Sequence, residues 1–554
     1  MTGNKHRALL LSGIIALALS GCASGSVPGL TGAPFAKTSA AVSENSHLGP
    51  ARQREETTAL YGDISLARPG PENTLSTLPL PVDGRLSVTI EEAVFLTLKN
   101  NRSLAVQLYR PLVAGTFEEQ ERARFDPFVS GETLISRDRT EQADRGTGGV
   151  LDVRSESDLY RVGIGQTLPT GTSLDLSFRQ SRSDSSLARE RQAAGVQATL
   201  TQALLRGAGL EENLARVRQA ELDTLASRYE VRGFTEALVA ETELTYWDYV
   251  LARQRILIFE DALCVSRDQA ADIERRIEVG TIAETELAAA QAELASRRQG
   301  LLDALNQRDR IRLSLLRLLN PPDASGWSLD IVPLDRPRGP EVELDPVEDH
   351  LDLGLRMRPE LAEASLRVEQ GRLDIMQTRK GLLPRLDLFL TLGKTGYAES
   401  FGGSLSRLDD SYYDTTAGAR LEWTLFNRAA EAADTRARAT LAQAQASLDN
   451  LAQLVVQDIR DAWLEAQRAQ SQIEASAVRR RWQEEVLRAE QVKFDVGRGT
   501  ALTVAQAQRD LLESQLDEIK RIIDYRKARI YLYLLDGTLL RRRGIETMGT
   551  FFSQ

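Results

Sequence analysis

The chain has 554 residues, of which 42% are hydrophobic and 27% are charged, an ordinary composition for a folded protein. Its net charge of −10, with no dense basic stretch to offset it, disfavours nucleic acid as a partner. The three histidines include no pair with metal-ligand spacing, so we expect no histidine-built zinc site and no histidine general base. No resident cofactor is expected.

Residues 1–21 are predicted to be a secretory signal peptide. A basic start at residues 5–7 precedes an apolar run, residues 8–19, that is too short to span a bilayer. The run ends in residues 19–22, LSGC, which resemble a bacterial lipobox. That resemblance implies cleavage before Cys22, acylation of Cys22 with fatty acids such as palmitate, and delivery to the outer membrane. An ordinary signal peptide close to a cysteine is the alternative. Residues 22–85, rich in small residues and proline, are predicted to be a lipidated tether.

The first half of the folded chain, residues 86–319, is predicted to open with a helix. Thr89 and Glu92 have the spacing of a capping box at its start. Between residues 128 and 203 the hydrophobic period changes to two, which predicts four strands with one apolar and one polar face. Strands of this kind suit a transmembrane β-barrel. A water-soluble sheet with one face on a core has the same pattern, so both interpretations stay open here.

A helical hairpin is predicted over residues 210–319. Its first helix, of about 69 residues, would be a rod roughly 100 Å long. Two hydrophobic stripes on neighbouring faces predict packing on both sides, as in a ring of helices. Cys264 lies within this helix and is interpreted as a small core residue.

The second half repeats this order of elements. Residues 320–345 are predicted to be an irregular connector, and residues 346–536 to be a second helix, strands and hairpin. The strands are expected within residues 386–426 and the hairpin within residues 428–535. Residues 537–554 are interpreted as a C-terminal tail, in which the arginines of residues 541–543 form a solvated helix end.

The two hairpins are predicted to turn at matching motifs. Residues 279–281, VGT, and residues 496–500, VGRGT, are each followed by an Ala-Gln-Ala segment. Gly497 follows Gly280 by 217 residues, so the chain is interpreted as two structural repeats.

With these motifs, the strand entry at residues 382–386 and the exit at residues 202–209, the chain resembles the TolC-like outer-membrane efflux channels. The resemblance implies a mixed α/β membrane protein in which a homotrimer forms one transmembrane β-barrel continuous with a long periplasmic α-helical barrel. It also implies that a periplasmic adaptor docks at the hairpin tips, namely at Gly280, Thr281, Gly497, Arg498 and Gly499. The family has four strands per protomer, whereas six are predicted here, giving eighteen in a trimer. Alternatively, the extra pair projects as an extracellular ribbon, and the barrel has twelve.

The resemblance further points to a periplasmic gate. Many family members carry carboxylates just beyond the second tip, where this chain has Thr503 and Gln506. Glu284 and Glu286, beyond the first tip, are therefore candidates for a replacement ring. The alternative is that they are solvated charges in a helix's first turn, where the helix dipole favours them.

The resulting hypothesis is a passive outer-membrane exit channel for small solutes or drugs, lipid-anchored and coupled to an adaptor and an inner-membrane pump. Type I protein secretion or polysaccharide export is an alternative cargo route. A periplasmic adaptor or structural envelope lipoprotein is an alternative of another class. An enzyme is not expected, because no nucleotide loop or nucleophile–base constellation is present.

Overall fold

The computed structural model describes residues 84–545, except 144, 145, 147, 322, 323 and 340–343. All the described residues belong to one compact unit, Ile64–Gln554. The predicted signal peptide, Cys22, nearly all of the tether and residues 546–554 lie outside the described residues.

The first half contains one short strand, four short helices, four long strands and a helical hairpin. In chain order these are β1 Arg85–Val88, α1 Ile90–Asn100, α2 Arg102–Leu108, α3 Arg110–Arg122, β2 Phe128–Ala143, β3 Val150–Thr167, β4 Thr172–Ser185, β5 Ala188–Ala203, α4 Leu210–Asn213, α5 Ala215–Glu278 and α6 Thr285–Leu319. The capping box of Thr89 and Glu92 is present at α1.

The second half has the same order but only two long strands. Its elements are β6 Asp330–Pro333, α7 Val347–Met357, α8 Pro359–Gly381, β7 Arg385–Ala398, α9 Phe401–Ser406, β8 Asp414–Glu422, α10 Arg428–Asp495, α11 Ala501–Leu535 and α12 Leu539–Arg542. The helices α5 and α10 have 64 and 68 residues, so each is a rod of roughly 100 Å. None of the helices in the described part of the chain has a stretch long and apolar enough to cross a bilayer.

The long strands form one six-stranded sheet in the order β2-β3-β4-β5-β7-β8. Every neighbouring pair is antiparallel. The strands β5 and β7 join the two halves through pairs that run from Gln192 with Ala398 to Ala203 with Asp387.

Two predicted elements are less regular than the sequence pattern indicated. The single helix predicted to open the first half is divided at Asn101, whose side chain accepts hydrogen bonds from the backbone N–H groups of Ser103 and Leu104 and so starts α2. The helix predicted to open the second half, from residue 346, is divided before Pro359, because proline disfavours helical backbone in the residue that precedes it.

The connector between the halves is partly ordered, contrary to the prediction. Its strand β6 pairs in parallel with β1, at the start of the first half. Ile331 is fully buried there, and the hydroxyl of Tyr249 donates to its carbonyl over 2.8 Å. The hydroxyl of Tyr246 donates to the carbonyl of Val88 over 3.0 Å. Two buried tyrosines therefore fasten this small sheet to α5.

The segment predicted to be a C-terminal tail packs into the main core. Leu539 and Leu540 of α12 are buried against residues of β1, α1, α5, α6 and α11. The interpretation of residues 541–543 as a solvated helix end is wrong for Arg543, whose guanidinium contacts the carboxylate of the fully buried Glu243 at 2.6 and 2.7 Å. The interpretation of Cys264 as a core residue is also wrong, because it is exposed on α5.

Candidate functional site

The two hairpins turn with the same backbone geometry. Beyond α5, Gly280 has φ of 75°, and the N–H of Thr281 donates to the carbonyl of Arg276 over 2.9 Å. Beyond α10, Gly497 has φ of 73°, and the N–H of Arg498 donates to the carbonyl of Lys493 over 2.8 Å. This is the Schellman arrangement that ends many helices. A Cβ at either glycine would meet no atom within 4 Å, so the left-handed backbone, not crowding, requires glycine.

The return helices begin differently. Thr500 and Thr503 form a reciprocal capping box at the start of α11. At the start of α6, Glu284 is exposed, and its side chain makes no capping hydrogen bond. The carboxylate of Glu286 accepts a hydrogen bond from the N–H of Ala501 over 2.7 Å, so it caps one N–H group in the first turn of α11, in the other hairpin.

Of the four gate candidates, the structure therefore brings two to the start of α11. Thr503 belongs to its capping box, and Glu286 bonds to its first N–H group. Glu284 and Gln506 are exposed, and Gln506 lies in the second turn of α11. Among the docking candidates, Gly499 packs closely under the end of α10, where an added Cβ would come within 3.1 Å of the backbone nitrogen of Phe494.

A second contact between the tips was not expected from the sequence. The guanidinium of Arg276 on α5 contacts the carboxylate of Asp495 on α10 at 2.9 Å, and Asp272 at 2.7 Å. The hydrogen bond to Asp495 raises the pKa of Arg276. Beneath this contact Ile273, Ala290 and Ala501 are buried together. The spacing of Arg276 and Asp495 along the chain gave no signal, because two separate hairpins bring them together.

The sheet has one exposed apolar face and one polar face. One row across it joins Val129, Ile164, Leu176, Ala198 and Leu392. Four of these five side chains are large and exposed, Val129 by 75% and Leu392 by 50%. A sheet packed on a water-soluble core would bury this face, whereas an exposed apolar band of this extent indicates contact with lipid or with another protein.

The opposite face of the sheet carries charged rows. Glu132 pairs across β2 and β3 with Arg161, which lies opposite Arg179 on β4. The Glu132 carboxylate and the Arg161 guanidinium are 3.2 Å apart.

The sequence of the second half matches a known family model. Residues 351–538 match the model described as outer membrane efflux protein. These residues include α8, β7, β8 and the whole second hairpin, which carries the Gly497 turn. The chain belongs to the TolC-like outer-membrane efflux family. The family and its structural neighbours are channel proteins.

One curated relative of this chain is the alkaline protease secretion protein AprF of Pseudomonas aeruginosa. The two chains are 26% identical over 230 residues, which is 41% of this chain. The match spans 45% of AprF, less than half of that protein's length.

Solved structures of similar fold cover nearly the whole body of this chain. A membrane protein from Pseudomonas aeruginosa superposes with a TM-score of 0.62 at 20% identity, covering 85% of this chain and 95% of that one. The CmeC outer membrane channel of Campylobacter jejuni superposes with a TM-score of 0.61 at 15% identity, covering 87% of this chain and 99% of that one. At these identities the likeness establishes the α/β fold with long helices.

Proposed function

We propose that this protein is the passive outer-membrane exit channel of a tripartite efflux system. The observation that carries the proposal is the exposed apolar face of the six-stranded sheet, at one end of two hairpins roughly 100 Å long. Lipid would cover the apolar face of the sheet, and the hairpins would extend through the periplasm. The channel would conduct small solutes or drugs outward, with energy supplied by the pump.

Three copies of the chain are proposed to form the channel. The strands β2 and β8 are the two edges of the sheet, so each leaves backbone groups unpaired, at a cost of several kcal/mol for each such group in lipid. β2 runs away from the helical body and β8 runs back toward it, so β8 of one copy and β2 of the next meet antiparallel. Closing the sheet in this way removes both edges.

The same geometry supports a proposal for the partners. The turns at Gly280, Thr281, Gly497, Arg498 and Gly499 are proposed to contact a periplasmic adaptor that links the channel to an inner-membrane pump. Acyl chains on Cys22 would add a lipid anchor in the outer membrane. Residues 86–319 and 346–536 then act as two repeats that supply two tips per protomer.

Planar bilayers test the channel directly. The purified full-length lipoprotein should be a trimer in detergent by light scattering, and it should produce stepwise conductance after reconstitution. A monomeric mass together with an absence of conductance steps would overturn the proposal and favour a periplasmic adaptor or structural lipoprotein.

The gate is proposed to involve Glu286 more than Glu284, because Glu286 is the carboxylate that contacts the second hairpin. The variant Glu286→Gln should weaken block by divalent or trivalent cations added from the periplasmic side, whereas the exposed Glu284→Gln should change it less. Equal cation block of the parent and both variants would show that these carboxylates do not contribute to the gate.

Type I protein secretion is kept as a second candidate because AprF is a protein of alkaline protease secretion. Deletion of the gene distinguishes the two routes. Sensitivity to drugs with an unchanged set of secreted proteins favours solute efflux, and loss of a secreted protein without drug sensitivity favours secretion.

A further inference from the structure

The hairpin of β3 and β4 is the feature that distinguishes the two halves, and its turn lies at the helical end of the sheet. The carbonyl of Gly171 in this turn accepts from the N–H of Ala203, at the end of β5, over 3.0 Å. The N–H of Gly209 donates to the carbonyl of Thr170 over 3.1 Å, and the Asn213 side chain donates to the carbonyl of Pro169 over 3.0 Å. The hairpin therefore reaches the level at which β5 leaves the sheet for the helices.

The hairpin is also bonded on both sides along its length. β3 and β4 pair from Thr167 with Ser173 to Ser155 with Ser185. β4 pairs with β5 over nearly the same height, and β3 pairs with β2 along all of β2. A ribbon that projected above the membrane would leave β2 to pair with β5 below it, and these two strands are not neighbours.

The apolar face continues across the hairpin without interruption. Val162, Ile164, Leu174 and Leu176 are 57, 51, 46 and 47% exposed and lie on the same face as Leu390 of β7. The opposite face of the hairpin carries Arg161, Asp175 and Arg179. A ribbon with water on both sides has no need of one apolar face in register with membrane strands.

We infer that the hairpin of β3 and β4 is part of the barrel wall, so that three copies with six strands each close a barrel of eighteen strands. This inference rests on the proposed trimeric channel. Barrel diameter grows about linearly with strand number, so the wall is about 1.5 times as wide as one of twelve strands.

The wider wall bears on the class of cargo. With a strand spacing of ~4.8 Å and a tilt of ~40°, the backbone diameter is ~36 Å instead of ~24 Å. After a side-chain layer of ~5 Å is subtracted on each side, the open diameter is ~26 Å for eighteen strands and ~14 Å for twelve. One helix with its side chains has a diameter of ~10–12 Å. The outer-membrane exit therefore has room for two helices side by side, which suits polypeptide segments that retain secondary structure as well as small solutes.

Spin labels on neighbouring residues test whether the hairpin is in the wall. Single cysteines are introduced at Leu176 and Ser177 of β4, and at Leu390 and Thr391 of β7 as matched controls, in a full-length Cys264→Ser background reconstituted in lipid vesicles. Collisions with oxygen report lipid, and collisions with a water-soluble nickel chelate report the lumen. We expect Leu176→Cys to favour oxygen and Ser177→Cys to favour nickel, as the two β7 sites do.

The contrary outcomes are distinguishable. Nickel access at both β4 positions with oxygen access at Leu390→Cys would overturn the inference and leave the channel standing. Nickel access at Leu390→Cys as well would overturn both the inference and the proposed channel.

Excision of the hairpin tests the width. Residues 144–187 are replaced by Asn-Gly, so that Ala143 pairs with Ala188 and Val129 comes opposite Gln202, on the same face as in the parent sheet. The size of the largest polymer that enters from the extracellular side, which probes the barrel, should fall to roughly half. An unchanged size limit overturns the inference, and if the variant does not insert, the spin-label result decides.

Discussion

Glu243 on α5 shows how a single buried charge fixes the C-terminal end of the chain. Its side chain has no exposed surface, and burial raises its pKa, whereas the bidentate contact with Arg543 opposes that rise. Since breaking a buried ion pair leaves an uncompensated charge, Arg543→Ala should lower the free energy of unfolding by about 3–5 kcal/mol. Arg541→Ala, at an exposed site on α12 two residues before Arg543, is the control and should change it by less than about 0.5 kcal/mol. Equal melting temperatures for the two variants would contradict the role of Arg543.

A second buried carboxyl makes stability depend on pH. Burial raises the pKa of Glu236 to about 8, although the neighbouring Arg232 opposes the shift, and the nearby Glu360 and Asp536 add to it. The folded protein then holds a proton that the unfolded chain releases above about pH 4.5. Stability contributed by this group is therefore present at low pH and falls as the pH rises toward about 8.

Glu236→Gln removes this dependence. The melting temperature of the parent protein should fall relative to that of the variant as the pH rises from 5 to about 8. Above about pH 8 the difference between the two melting temperatures should stay constant. Parallel melting curves across that range would show that the proton on Glu236 does not contribute.

Among the structural elements, the hairpin turns depend most strongly on particular residues. Gly280→Ala and Gly497→Ala place a side chain in left-handed backbone, which costs about 1–2 kcal/mol. Hydrogen exchange at the amides of the altered tip should become about 5–30 times faster. Gly381→Ala, at the end of α8 in open space and without positive φ, is the matched control and should leave exchange there no faster. Unchanged hydrogen exchange at both tips would show that the turns accommodate alanine without a loss of stability.

The sequence predicted these elements well where a pattern was local. Capping at Thr89, the alternation of β2 to β5 and the two Gly turns all follow from neighbouring residues. The features that the sequence did not predict depend on contacts between residues that lie far apart in the chain. β6 is recognisable only through β1, the burial of α12 depends on a core built mainly by the first half, and Glu286 bonds to Ala501 of the other hairpin. For Cys264, the hydrophobic stripe gave the helix correctly but not which side of it would be covered.

At the scale of the whole molecule, the antiparallel edges β2 and β8 predict contacts between copies. A cysteine pair with one residue on each edge, Gly131→Cys with Ala417→Cys, should give disulfide-linked dimers and trimers in membranes when oxidised. The two residues lie on the same face, but their register across the interface is open, so Gly131→Cys is also paired with Thr415→Cys and Ala419→Cys. Monomers for all three pairs would contradict closure of the barrel through these edges.

The pairing of β5 with β7 has a consequence for the order of events during biogenesis. These strands lie about 190 residues apart in the chain, so their contacts form slowly, whereas the helical hairpins bring together sequence neighbours and form fast. We expect each newly exported chain to build its helical body first and to complete its sheet only when other copies are at hand. Insertion into the outer membrane should therefore be a late and concentration-dependent step, and a shortage of subunits should leave soluble, sheet-incomplete protomers exposed to periplasmic proteases.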